Sequence, residues 1–61
     1  MTLASLLNAA LKIVEENAYD TIVDVQWACI IASDSNGGAT QAQIMLIRDK
    51  ICVRKGIDNI G

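Results

Sequence analysis

The stretch Leu3–Ala18, LASLLNAALKIVEENA, decides the fold because its apolar residues recur with the period of an α-helix. At 100° per residue, one broad face carries Leu3, Leu6, Leu7, Ala10, Leu11, Ile13, Val14 and Ala18. The polar residues fall on the opposite face, a separation that a strand of period two does not produce. Thr2 precedes the pattern as a suitable N-cap. The sequence therefore predicts an amphipathic helix over 3–18 that must bury one face.

A second helix is predicted over 40–55, TQAQIMLIRDKICVRK, from its end signals. Thr40 and Gln43 have the spacing of a capping box, in which each side chain bonds the other residue's amide. Two basic residues occupy the last turn, where they complement the helix dipole. Gly56 follows as the C′ residue, with Ile57 placed to pack back on the helix.

The segment 21–33, TIVDVQWACIIAS, is compatible with two structures. Its apolar residues alternate as in a strand at Val23, Val25, Trp27, Cys29 and Ile31. If it is a helix, Thr21 and Asp24 have the spacing of an N-terminal capping box, but apolar residues cover most of the helix circumference. Such a helix needs cover on several sides, so the helical interpretation implies an oligomer. The turn at 34–38, DSNGG, suits either structure.

We predict an all-α fold: one small three-helix domain spanning 1–61, with helices at 3–18, 21–33 and 40–55, packed as a homo-oligomer and preferably a dimer. The competing architecture is α+β. In it, one helix lies on a short antiparallel sheet, and 21–32 and 39–47 form a hairpin.

Length and composition also favour association. A chain of 61 residues with 52% apolar residues cannot hide its apolar surface well as a monomer. With only two cysteines and no histidine, the chain is not expected to be stabilised by a disulfide framework or a structural zinc site. Oligomerisation is the remaining means of stabilising so small a chain.

The two parts of the chain carry opposite charge. Residues 1–39 hold one lysine and five carboxylates, a sum of −4, whereas 40–61 hold four cations and two carboxylates, a sum of +2. Glu15 and Glu16 end the first helix, where the dipole prefers cations. A basic group from the second part is therefore expected nearby.

The chemistry-bearing residues do not indicate an enzyme. Without histidine the chain lacks the usual general base near neutral pH, and Cys29 and Cys52 have no imidazole to ionise them. We expect no catalytic residue, no cofactor and no metal site. The start of the chain has no basic region of a signal peptide, and no apolar run is long enough for a membrane span. A cytoplasmic protein without a membrane partner is expected.

We predict that the chain is a small protein-interaction module, a regulator, inhibitor or adaptor of a partner macromolecule. The predicted partner-binding residues are Trp27, Leu46 and Val53. Tryptophan is enriched at binding hot spots, and the other two lie on a second apolar stripe of the last helix, opposite Ile44, Ile47 and Ile51.

The alternative function is that of a small DNA- or RNA-binding regulator using the basic C-terminal segment. Its contacts to nucleic acid, or to an acidic partner, would be Arg48, Lys50, Arg54 and Lys55. These cations do not gather on one face of the predicted helix, as a recognition helix usually requires.

Overall fold

A computed structural model describes residues 2–58 of the chain as three helices. Helix α1 is Leu3–Asn17, α2 is Ile22–Ser35 and α3 is Gln41–Lys55. The described residues contain no strand. The predicted all-α fold is thus confirmed, and the alternative hairpin is wrong, because both of its proposed strands lie mostly in helices α2 and α3.

A threonine begins each helix, and its side chain explains where the helix begins. The Oγ1 atom accepts a hydrogen bond from the amide three residues on, in the pairs Thr2–Ser5, Thr21–Asp24 and Thr40–Gln43. The Gln43 side chain also accepts from the Thr40 amide at 3.0 Å, which completes the predicted capping box. Each cap satisfies an amide that has no partner within its helix.

Helices α1 and α3 end in the same hydrogen-bonded motif. At the end of α3, Gly56 adopts φ +70°, and the Ile57 amide donates to the Cys52 carbonyl at 2.8 Å. This is the predicted Schellman end. In α1 the corresponding residue is Ala18, with φ +54°, and the Tyr19 amide closes the motif. Because Ala18 has a Cβ, this left-handed conformation is strained there in a way that Gly56 avoids.

The core lies where the three helices meet, and every pair of helices is in contact. Its fully buried apolar residues are Leu6, Ala10, Val14, Val25, Ala28, Cys29, Ala32, Ile47, Ile51 and Cys52. Three of these are alanines, on α1 and α2, which is the helix pair in most extensive contact. Small side chains let those two helices approach closely. The result is a triangular bundle with each helix keeping one outward face.

Ser33 organises the connection between α2 and α3. Its side chain is 3% exposed, and its Oγ accepts a hydrogen bond from the Ala39 amide at 2.7 Å. Its carbonyl accepts from the amides of Asn36 and Gly38 at 3.1 and 2.8 Å. Gly37 and Gly38 both have φ near +90°, a conformation that favours glycine. One buried serine therefore satisfies three backbone donors of the turn.

An ion pair joins the C-terminal ends of α1 and α3. Lys55 Nζ lies 3.0 Å from Glu15 Oε1, so the expected approach of a basic group to the end of the first helix is confirmed. The Glu15 side chain is 65% exposed, and an exposed pair of this kind adds only a few tenths of a kcal/mol to the stability of the fold.

Candidate interaction surfaces

The outward side of α2 is apolar. Val23 is 71% exposed and Trp27 is 57% exposed, one helical turn apart. Ile30 and Ile31 follow on the next turn and are partly exposed. We call these four residues the α2 face. An outward face of a bundle helix normally carries polar residues, so this apolar face is a candidate interaction surface.

The two apolar sides of α2 explain why its sequence resembled a strand. Val25 and Cys29 point into the core, whereas Val23 and Trp27 point outward. An alternating run of apolar residues therefore divides between two opposite sides of one helix. Sequence periodicity alone does not distinguish this arrangement from a buried strand.

Three carboxylates lie close in sequence to the α2 face. Asp24 and Asp34 lie on α2, Asp20 lies just before its N-cap, and residues 22–35 include no lysine or arginine. None of the three side chains forms a salt bridge with another residue of the described chain. The α2 face is thus an apolar surface with uncompensated negative charge at its edges.

The outward side of α3 carries a second apolar surface. Met45 and Leu46 are each 44% exposed, and Val53 is 80% exposed. We call these three residues the α3 face. The structure places the predicted residues Leu46 and Val53 together on this face, whereas the third predicted contact, Trp27, lies on a different helix.

A shallow groove of about 500 Å³ runs between α1 and α3. It is lined by Leu7 of α1 and by Asp49, Lys50, Val53 and Arg54 of α3. We call it the α1–α3 groove. Its apolar lining comes from Leu7 and Val53, and its two cations lie four residues apart on one side of α3.

The four predicted cations do not form one surface. Arg48 pairs with Asp49 at 3.2 Å and Lys55 pairs with Glu15 at 3.0 Å. Lys50 and Arg54 form no salt bridge within residues 2–58 and both line the α1–α3 groove. Of these four cations, the two that form no salt bridge within the described residues thus both lie at the groove.

The two cysteines are buried and free. Burial, with a smaller contribution from the Cys52 thiol, raises the pKa of Cys29 from 9.0 to about 11 against the opposing effect of Arg48. Burial also raises the pKa of Cys52. Both groups are consequently protonated thiols near neutral pH, and a protonated buried thiol is a poor nucleophile. No cluster of three possible metal-binding side chains occurs among the described residues.

Sequence reasoning missed Val23 and Leu7. Val23 precedes Trp27 by one helical turn, so a helical α2 places the two side chains on one face. Leu7 lies on the apolar side of α1, and nothing in the sequence distinguishes it from the leucines that enter the core. Its role at the groove follows only from the packing of α1 on α3.

Comparisons with known proteins give no match: no family model fits the chain, and neither a curated protein nor a solved structure matches it. Between residues 2 and 58, no helix has both the length and the apolar character needed to cross a membrane.

Proposed function

We propose that the chain is a small cytosolic interaction module that regulates, inhibits or adapts a partner protein, and that it binds this partner through the α2 face. The observation that carries the proposal is the exposure of Trp27, at 57%, beside Val23, at 71%. Large apolar side chains adjacent on an outward face have no role in the core of this bundle. Tryptophan in such a position is a common anchor of protein interfaces.

The exposed part of Trp27 provides a useful share of a binding free energy. An aromatic side chain buries 150–250 Å² when fully covered, so covering the exposed half removes roughly 100 Å² from water. At about 25 cal/mol per Å², this contributes about 2 to 3 kcal/mol before the costs of association. The flanking carboxylates add selectivity for a partner with cations around an apolar surface.

The α3 face is a second proposed contact, because Leu46 and Val53 are exposed there and lie on one side of α3. The function we propose is binding and not catalysis. Both cysteine thiols are buried with raised pKa values, and the chain has no histidine.

The proposal is tested by site-specific photocrosslinking in cells that produce the chain. A photoreactive amino acid at Val23, on the α2 face, should capture a partner that the same amino acid at Lys12, an exposed site on α1, does not capture. With the purified partner, Trp27→Ala should weaken binding tenfold or more, because it removes the anchor. Gln41→Ala, at an exposed polar position of α3, is the matched control and should bind as the parent does.

Equal crosslinking at both positions would contradict the proposal. So would a Trp27→Ala variant that binds the partner as tightly as the parent. Circular dichroism of each variant shows whether the helices are intact, so that a loss of binding is not confused with a loss of fold.

Nucleic-acid binding is the second candidate function, and the observation that favours it is the unpaired state of Lys50 and Arg54 within residues 2–58. Against it, Arg48 and Lys55 are neutralised by carboxylates. Nucleic-acid binding would weaken steeply with added salt and would be lost in the Lys50→Ala/Arg54→Ala variant. Absence of binding to mixed DNA and RNA at low salt would exclude it.

A further inference from the structure

We propose that the α2 face of one copy docks into the α1–α3 groove of a second copy, so that the chain associates head to tail. This inference rests on the proposed function for the binding role of Trp27 in the α2 face. It goes further by naming one binding partner of that face, a second copy of the chain.

Charge complementarity supports this occupant. Asp20, Asp24 and Asp34 lie close in sequence to the residues of the α2 face. The groove is lined by two cations, Lys50 and Arg54, and by one carboxylate, Asp49, so positive charge is in excess there. Within one copy, the three carboxylates beside the α2 face and the two cations of the groove form no salt bridge with one another or with other described residues. In a head-to-tail contact, the carboxylates beside the α2 face of one copy lie near the cations of the groove of the next copy. Two α2 faces in contact would instead bring like charges together, which disfavours a symmetric pairing through α2.

The apolar surfaces match as well. Val23 and Trp27 project from the α2 face, and Leu7 and Val53 are the apolar residues that line the groove. A groove of about 500 Å³ is large enough to receive an indole ring. Docking would cover Val53, which is 80% exposed in the single copy.

The position of the two surfaces determines the form of the assembly. All three pairs of helices are in contact, so a section through the bundle is a triangle, with α2 at one corner and the α1–α3 groove along the opposite side. The two surfaces therefore face away from each other. A contact between different surfaces on opposite sides adds copies in series and does not close as a twofold dimer. The dimer preferred from the sequence is not the form that this geometry favours.

The contact is expected to be weak. A standard interface buries roughly 800 Å² per partner, about a fifth of the 3763 Å² surface of this chain. Only two residues of the α2 face are more than half exposed in the single copy: Val23 at 71% and Trp27 at 57%. Association should accordingly depend on concentration and weaken with salt, which screens the charged border.

The experiment measures weight-average mass by sedimentation equilibrium at low salt, from about 10 µM to about 1 mM, a range suited to weak contacts. The parent chain should show a mass that rises without reaching a plateau at two copies. Trp27→Ala should shift this rise to at least tenfold higher concentration. Lys12→Glu, a charge reversal at an exposed site on α1, is the control and should associate as the parent does.

Two charge-reversal variants test the pairing itself. Asp24→Lys/Asp34→Lys makes the border of the α2 face basic, and Lys50→Glu/Arg54→Glu makes the border of the groove acidic. Each variant alone brings like charges together and should remain monomeric. An equimolar mixture pairs opposite charges again and should recover the association of the parent, provided that circular dichroism shows both variants to be helical.

A parent chain that stays monomeric at about 1 mM would overturn the inference, as would a mass that stops at two copies or a mixture of folded variants that does not recover. These results leave the proposed function intact if crosslinking at Val23 still captures a partner through Trp27. Conversely, recovery in the mixture without any captured partner supports self-association and contradicts the proposed function.

Discussion

Replacing Ser33 by alanine tests how the α2–α3 connection is held. The Ser33 hydroxyl accepts the Ala39 amide at 2.7 Å in a site where the serine is 3% exposed. Ser33→Ala leaves that amide without its partner, at a cost of about 1 to 3 kcal/mol. The higher helix propensity of alanine offsets a few tenths of a kcal/mol of this cost. We therefore expect the free energy of unfolding to fall by about 1 to 2 kcal/mol.

That loss is large for so small a domain. At 0.05–0.15 kcal/mol per residue, the whole chain has a free energy of unfolding of roughly 3 to 9 kcal/mol. The melting temperature should fall by roughly 5 to 15 °C, measured by circular dichroism at 222 nm. Ser35→Ala is the matched control, because Ser35 is exposed at the end of the same helix and should melt within about 2 °C of the parent. Equal melting temperatures for the two variants would refute the assigned role of Ser33.

Two further predictions concern backbone strain and the buried thiol. Ala18→Gly should raise the free energy of unfolding by about 0.5 to 1 kcal/mol in urea titrations, because φ is +54° there, whereas Ala4→Gly, at an exposed helical position, should lower it. If both substitutions changed the free energy of unfolding in the same direction, Ala18 would not be strained. For Cys29, the unfolded thiol ionises near pH 9.0 and the folded thiol only near 11, so stability should fall as pH rises through this range. At pH 10.5 the loss relative to pH 8 should be about 2 kcal/mol larger in the parent than in Cys29→Ala, and an equal loss would contradict the assignment.

Helix ends could be predicted from the sequence because they depend on local chemistry. Thr40, Gln43 and Gly56 interact with backbone groups within four residues, so their spacing alone identifies the boundaries of α3. The same reasoning placed the start of α1 at Thr2. It extended α1 to Ala18, which the structure shows as the left-handed residue that ends the helix.

The surfaces could be predicted only in part, because exposure depends on how the helices pack. Trp27 was predicted to bind a partner for its residue type, and its exposure follows from Val25 and Cys29 taking the core side of α2. The groove at Leu7 requires α1 and α3 to lie side by side, which no local pattern specifies. The role of Ser33 depends on an amide six residues away, beyond the reach of the capping patterns that the sequence shows.

The exposure of Trp27 also gives the protein its own optical reporter. Trp27 is the single tryptophan of the chain, and its ring is already largely in water when the bundle is folded. Its emission should therefore change little on unfolding, so the stability of the fold has to be followed by the helical signal. When a partner or another copy covers the ring, the emission should move to shorter wavelength. The same side chain that is proposed to bind thus allows binding to be followed without any added label.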